Sequence, residues 1–142
     1  MRLRLFPLVV AIAVAVPVGA LAAQAKTFKF EATLLGKSES PKGASKGKGS
    51  VSITITGIKV CWKYTKLSGI DKPVVSHIHR GGAKVASGPV VVPLGGAFRS
   101  AGCTTSTAAI VKAIEKNPAG FYVNVHTAKF PNGAIRGQLR PA

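Results

Sequence analysis

Carboxylates are nearly missing from this chain, whose 142 residues hold four Asp and Glu against 20 Lys and Arg. Paired acid/base chemistry needs two carboxyl groups at a fixed separation. Glu31, Glu39, Asp71 and Glu115 are too scattered to supply it. Aromatic residues are also scarce, at 6% of the chain. They are not interleaved with the basic residues, so the stacking platform for nucleic-acid bases is lacking. The two cysteines, Cys61 and Cys103, sit in no C-x-x-C and near no histidine, which argues against a metal role for them. Gly81-Gly82 and Gly95-Gly96 are turn signals without the lysine or strand-to-helix context of a phosphate loop. Ser76 next to His77 is not a dyad, because strand neighbours point to opposite faces, and the same holds for Ser76 and His79.

Long apolar runs are absent outside residues 5–22. That run follows Arg2 and Arg4, is broken by Pro7, Pro17 and Gly19, and ends in Ala23-Gln24-Ala25, a small-x-small cleavage signature. These features predict a signal peptide over residues 1–25, cut after Ala25, rather than a membrane anchor. A mature domain over residues 26–142 follows, placed in the periplasm, the cell envelope or the medium. No second run approaches the ~20 residues of a membrane-spanning helix. Without Arg2 and Arg4 the mature part keeps 18 basic residues and all four acidic ones, a formal charge of +14. Such a field attracts anionic envelope polymers without specifying one. In an exported chain an even cysteine count predicts a Cys61–Cys103 disulfide, with two reduced buried thiols as the alternative. Closing a loop of that length is worth roughly 3–4 kcal/mol.

What remains is rich in alternating β-branched residues. Strands are predicted over residues 27–34, 50–56, 59–65, 74–80, 121–127 and 134–139 from apolar/polar alternation. Residues 88–94 carry Pro89 and Pro93, which cannot donate to a ladder, so they form an edge strand or an irregular extended piece. Residues 36–49 read as a flexible basic loop, and 95–103 as a loop around Cys103. One segment departs from the β pattern. Hydroxyls at 104–107 precede helix formers over 108–116, with Ile110 and Ile114 on one face and Asn117-Pro118 as a stop. Six or seven short strands with one helix predict an all-β antiparallel sandwich or barrel.

All three histidines fall on two of these strands. His77 and His79, at i and i+2, share one face of their strand with Ile78 opposite; Tyr122, Asn124 and His126 share one face of theirs. Two imidazoles spaced about 6.6 Å apart along a strand can lean onto one ion. A third from a neighbouring strand gives a nitrogen set suited to copper or zinc.

Several ordered motifs resemble the CHRD domain, a module named for chordin and widespread in exported bacterial proteins. They are Phe30-Glu31-Ala32-Thr33-Leu34, Glu39-Ser40-Pro41, Ser76-His77-Ile78-His79-Arg80-Gly81, Gly88-Pro89-Val90-Val91, Tyr122-Val123-Asn124-Val125-His126-Thr127 and residues 130–139. The resemblance covers nearly all of the mature part. It implies an immunoglobulin-like β-sandwich, distantly similar to copper/zinc superoxide dismutases, and no generally accepted activity. It marks His77, His79, Asn124, His126, Arg136 and Gly137 as typical without assigning them roles. A bridged bimetal dismutase site does not follow, since no fourth histidine exists and Asp71, the one aspartate, sits in a turn.

Two readings result. In the first, the protein is a non-catalytic extracytoplasmic binding or structural module for an anionic polymer or an extracellular protein. His77, His79 and His126 then form a polar network with Asn124, Thr127 and Arg136. In the second, the three histidines bind one copper or zinc ion.

Overall fold

A computed structural model describes residues 25–142, so the leader read over residues 1–25 lies, apart from Ala25, outside the described residues. The strands are β1 (Thr27–Leu35), β2 (Lys48–Thr56), β3 (Lys59–Ser68), β4 (Pro73–Arg80), β5 (Val90–Pro93), β6 (Ala101–Thr105), β7 (Phe121–Thr127), β8 (Ile135–Gln138) and β9 (Arg140–Pro141). They pair in the order β5-β4-β7-β8-β1-β2-β3-β6, with β9 also on β1, and every pairing is antiparallel. The end strands β5 and β6 are consecutive in the chain, and the residues between them bond to both ends. Leu94 and Phe98 donate to the carbonyls of Ser76 and Val74 on β4, while Tyr64 on β3 donates to Ser100. The sheet is therefore nearly closed on itself. The expected all-β antiparallel fold with one short helix is what forms.

Alternation along the strands fills the interior. Phe30, Ala32 and Leu34 from β1, Val51, Ile53 and Ile55 from β2, and Val60, Trp62 and Tyr64 from β3 all point inward. Ile78, Val92, Val123, Val125 and Ile135 meet them from the other half in one continuous core. Each fully buried aliphatic side chain contributes roughly 1.5–3 kcal/mol of transfer free energy. The predicted helix forms as α1 (Ala108–Lys116), where Thr107 Oγ1 accepts from the Ile110 N–H at 3.3 Å as N-cap. It buries Val111 and Ile114 against the core.

Two expectations change. The region around Cys103 is a strand, β6, and not a loop: Cys61 and Cys103 are register partners on β3 and β6, and their sulfurs are bonded. Glycine obscured it in the sequence, because Gly102 is needed where the Trp62 indole lies. A Cβ there would come within 2.7 Å of the ring. Residues 36–49 are pinned rather than loose. Gly36 and Gly43 let backbone approach backbone, Gly47 makes room for the Ile135 side chain, and Gly36 N–H to Gly47 O (3.0 Å) and Ala44 N–H to Ala134 O (2.9 Å) tie the segment down. The edge position of β5 is as its prolines predict.

Candidate metal centre

The register of the central strands builds the site. On β4 and β7, His77 faces Asn124, His79 faces Tyr122 and Val75 faces His126. On β7 and β8, Asn124 faces Arg136 and Tyr122 faces Gln138. Since Ile78, Val123, Val125 and Ile135 fill the core, the alternating residues gather on the outer face of these three strands. Residues 81–89 fold over that face and are held there by Arg136. Its guanidinium, buried on β8, donates to the carbonyls of Val85 (2.8 Å), Ala86 (3.2 Å), Gly82 (3.4 Å) and Ala83 (3.4 Å). Gln138 Nε2 adds bonds to Gly81 and Ala119 carbonyls at 2.9 and 2.8 Å.

The three imidazoles meet. One ring nitrogen of each lies within 4.8 Å of those of the other two. His79 Nδ1–H donates to the Gly88 carbonyl at 2.7 Å, and His126 Nδ1–H donates to the Pro131 carbonyl at 2.8 Å. A carbonyl only accepts, so both Nδ1 atoms carry the proton and, in the neutral rings, both Nε2 atoms are acceptors, that of His79 unengaged and that of His126 facing His77. His77 Nδ1 lies 3.2 Å from His126 Nε2 and is the donor of that pair. His79 and His126 are thus held as metal-binding imidazoles are, with the second ring nitrogen anchored on backbone oxygen. His79 Nε2 and the neighbouring Asn124 Oδ1 are buried without a hydrogen-bond partner.

Electrostatics favour the neutral form of His77 and of His79. Burial, then the proximity of His126 and His79, push His77 down to about 4. Burial also lowers His79, partly offset by its bond to Gly88 and by the nearby Asn124 side chain, which would accept from a charged ring. Neutral imidazole is the form that ligates metal. Tyr122 stacks on His79 with centroids 4.8 Å apart and planes 2° from parallel. Arg136 Cζ lies 3.8 Å from the Tyr122 centroid. The Arg136 charge reaches His79, where it adds to the forces that disfavour the imidazolium form.

A cleft of about 330 Å³ adjoins the imidazoles, lined among others by Glu39, His79, Tyr122, Asn124, His126 and Asn132. Glu39 is the residue that pattern reading missed. Its only signal was its place in Glu39-Ser40-Pro41. Burial raises its carboxyl to about 7, against the opposing pull of Arg136. Thr127, expected in the network, is not part of it. Adjacent to His126, it faces the other way, and its Oγ1 accepts from the Phe130 N–H at 3.2 Å. Asp71 is exposed beside Lys46 and Lys129, on a different pocket from the histidines.

Residues 30–139 match the family model described as CHRD domain. No curated protein and no solved structure matches the chain.

Proposed function

The chain belongs to the CHRD domain family, and from the geometry of its imidazoles we propose an exported, non-catalytic binding module whose ligand is a single transition-metal ion held by His77, His79 and His126. The observation that carries this reading is the anchoring of two Nδ1–H groups on the Gly88 and Pro131 carbonyls, which turns acceptor Nε2 atoms toward a third imidazole. With N–metal bonds of about 2.0–2.1 Å, ligand nitrogens stand about 3.4 Å apart. The ring nitrogens already lie within 4.8 Å of one another, and closing on an ion requires the partly exposed His77 ring to turn from its contact with His126 Nε2. An all-imidazole set suits copper(II) and zinc, and the general affinity order puts copper(II) ahead.

A purely structural polar network accounts for less. Thr127 bonds elsewhere, Arg136 spends its donors on residues 82–86, and His79 Nε2 and Asn124 Oδ1 are left over. A cation at the three imidazoles would give His79 Nε2 a partner. For export, support comes from the leader pattern of residues 1–25 and from the disulfide, which belongs in an oxidising compartment. Among the described residues no helix is long and apolar enough to cross a membrane.

The test is metal analysis after loading with Cu²⁺ or Zn²⁺ and desalting. One equivalent per chain is expected in the parent protein, and a loss of retention in His77→Ala and His126→Ala with folding intact. No retention in the parent, together with large stability losses in both variants, would instead establish the network.

A further inference from the structure

The outer face of β4, β7 and β8 is roofed by residues 81–89, but the outer face of β1, β2, β3 and β6 has no such roof. Its residues alternate with the core set, so it is read directly from the register. Across β1 and β2, Thr27 faces Thr56, Lys29 faces Thr54, Glu31 faces Ser52 and Thr33 faces Ser50. Across β2 and β3, Ser50 faces Thr65, Ser52 faces Lys63 and Thr56 faces Lys59. Lys29, Thr33, Ser52, Lys59, Lys63 and Thr65 are all exposed. The face is thus a lattice of hydroxyls punctuated by ammonium groups. Its one carboxylate, Glu31, is engaged by Arg140 of β9 at 3.0 Å.

The lattice ends in a groove of about 490 Å³ lined by Thr33, Leu35, Lys48, Ser50, Lys66 and Leu67 among others. Here the register of β2 and β3 shifts between Lys48 and Ser50, and Lys66 takes a left-handed backbone, φ 55°. That conformation is unfavourable for lysine by about 1–2 kcal/mol. It leaves consecutive Thr65 and Lys66 both exposed, so cations line the groove from both β2 and β3. Strain of this kind persists where it serves a surface.

We propose that this face binds an acidic polysaccharide. The argument is complementarity of charge and of hydrogen bonding together. Strands two apart lie about 10 Å from each other, and residues i and i+4 about 13 Å, so Lys29, Lys59 and Lys63 form a sparse array with hydroxyls between. An acidic glycan presents the matching pattern, separate carboxylates or sulfates on rings that carry hydroxyl groups. A polymer such as polyphosphate accepts hydrogen bonds from the hydroxyls but donates none in return and offers no C–H face to the groove, and nucleic acid finds no base-stacking aromatic here. Leu35 and Leu67 supply the groove with apolar contact for the C–H faces of sugar rings.

The experiment measures binding of the disulfide-intact protein to a polyuronate, to heparin, to neutral dextran and to polyphosphate of matched charge. Lys29→Glu/Lys63→Glu is compared with Lys112→Glu/Lys116→Glu on α1, which alters net charge equally. Uronate or heparin binding is expected to fall by roughly tenfold in the first variant and to change little in the second. Ser52→Ala/Thr54→Ala is expected to weaken glycan binding, which uses the hydroxyls as donors and acceptors, more than polyphosphate binding, which uses them only as donors. Equal losses in both charge variants, or polyphosphate bound as tightly as the glycans, would reduce the effect to net charge and overturn the proposal. Metal content, measured in the same variants, stays at the parent value whichever way this result falls.

Discussion

His77 and Glu39 titrate in opposite senses, and their opposition makes stability against pH informative. His77 sits near 4 in the folded chain against 6.5 ordinarily, so between those values the unfolded chain holds more protons. Its contribution to stability therefore rises with pH from about 4 to 6.5 and is level above. Glu39 is raised from 4.5 to about 7, so the folded chain holds the extra proton in that window. Its contribution falls as pH rises from about 4.5 to 7, and the cost of ionising it stays in place above. Glu39→Gln is expected to remove that downward slope and to stabilise the metal-free protein at pH 8 by on the order of 1–3 kcal/mol. Denaturant midpoints at pH 5 and pH 8 check this; an unchanged pH profile in the variant would mean that the carboxyl is not buried as described. Arg136→Met is expected to free residues 82–86, read as faster amide exchange at Val85 and Ala86, because four carbonyls lose their donor.

Among the elements, closure depends on positions where only hydrogen fits. Gly137 on β8 lies against β1, where a Cβ would stand 2.1 Å from the Thr33 carbonyl oxygen. Backbone cannot yield as a side chain does, so Gly137→Ala is expected to cost roughly 2 kcal/mol or more by forcing β8 off β1. Thr107→Ala, which removes the cap of α1, is expected to cost about 1 kcal/mol. Thermal unfolding of both variants tests the ranking. These elements also mark what the sequence can express. β2 and β7 were legible because Val51, Ile53 and Ile55, and Phe121, Val123 and Val125, alternate without interruption. The shared face of Tyr122, Asn124 and His126 followed from the same period, and so did the pairing of His77 with His79. β6 was not legible, since Gly102 answers to the Trp62 indole across the sheet and not to its own neighbours. Glu39 was invisible for a similar reason: its burial is made by Gly133, which is 94 residues away in the chain, and by Arg136. Thr127 was misplaced by proximity to His126, although the strand period itself sends it to the other face.

At the scale of the molecule, one sheet presents two outer faces of different character, one roofed and imidazole-lined, the other open, hydroxylated and cationic. The Cys61–Cys103 bond ties β6 to β3 on the open side. Its removal in Cys61→Ser/Cys103→Ser is expected to lower stability by roughly 3–4 kcal/mol while leaving the imidazole geometry intact, so metal stoichiometry measured below the lowered melting point should persist. Loss of metal together with the disulfide would couple the two faces and contradict their independence. The most direct test of the account is a copper(II) titration of the purified chain followed by electron paramagnetic resonance. One equivalent with hyperfine coupling to imidazole nitrogens, absent in His77→Ala, His79→Ala and His126→Ala alike, is the predicted result. A spectrum of weak, multiple sites that is unchanged by any of the three substitutions would contradict it.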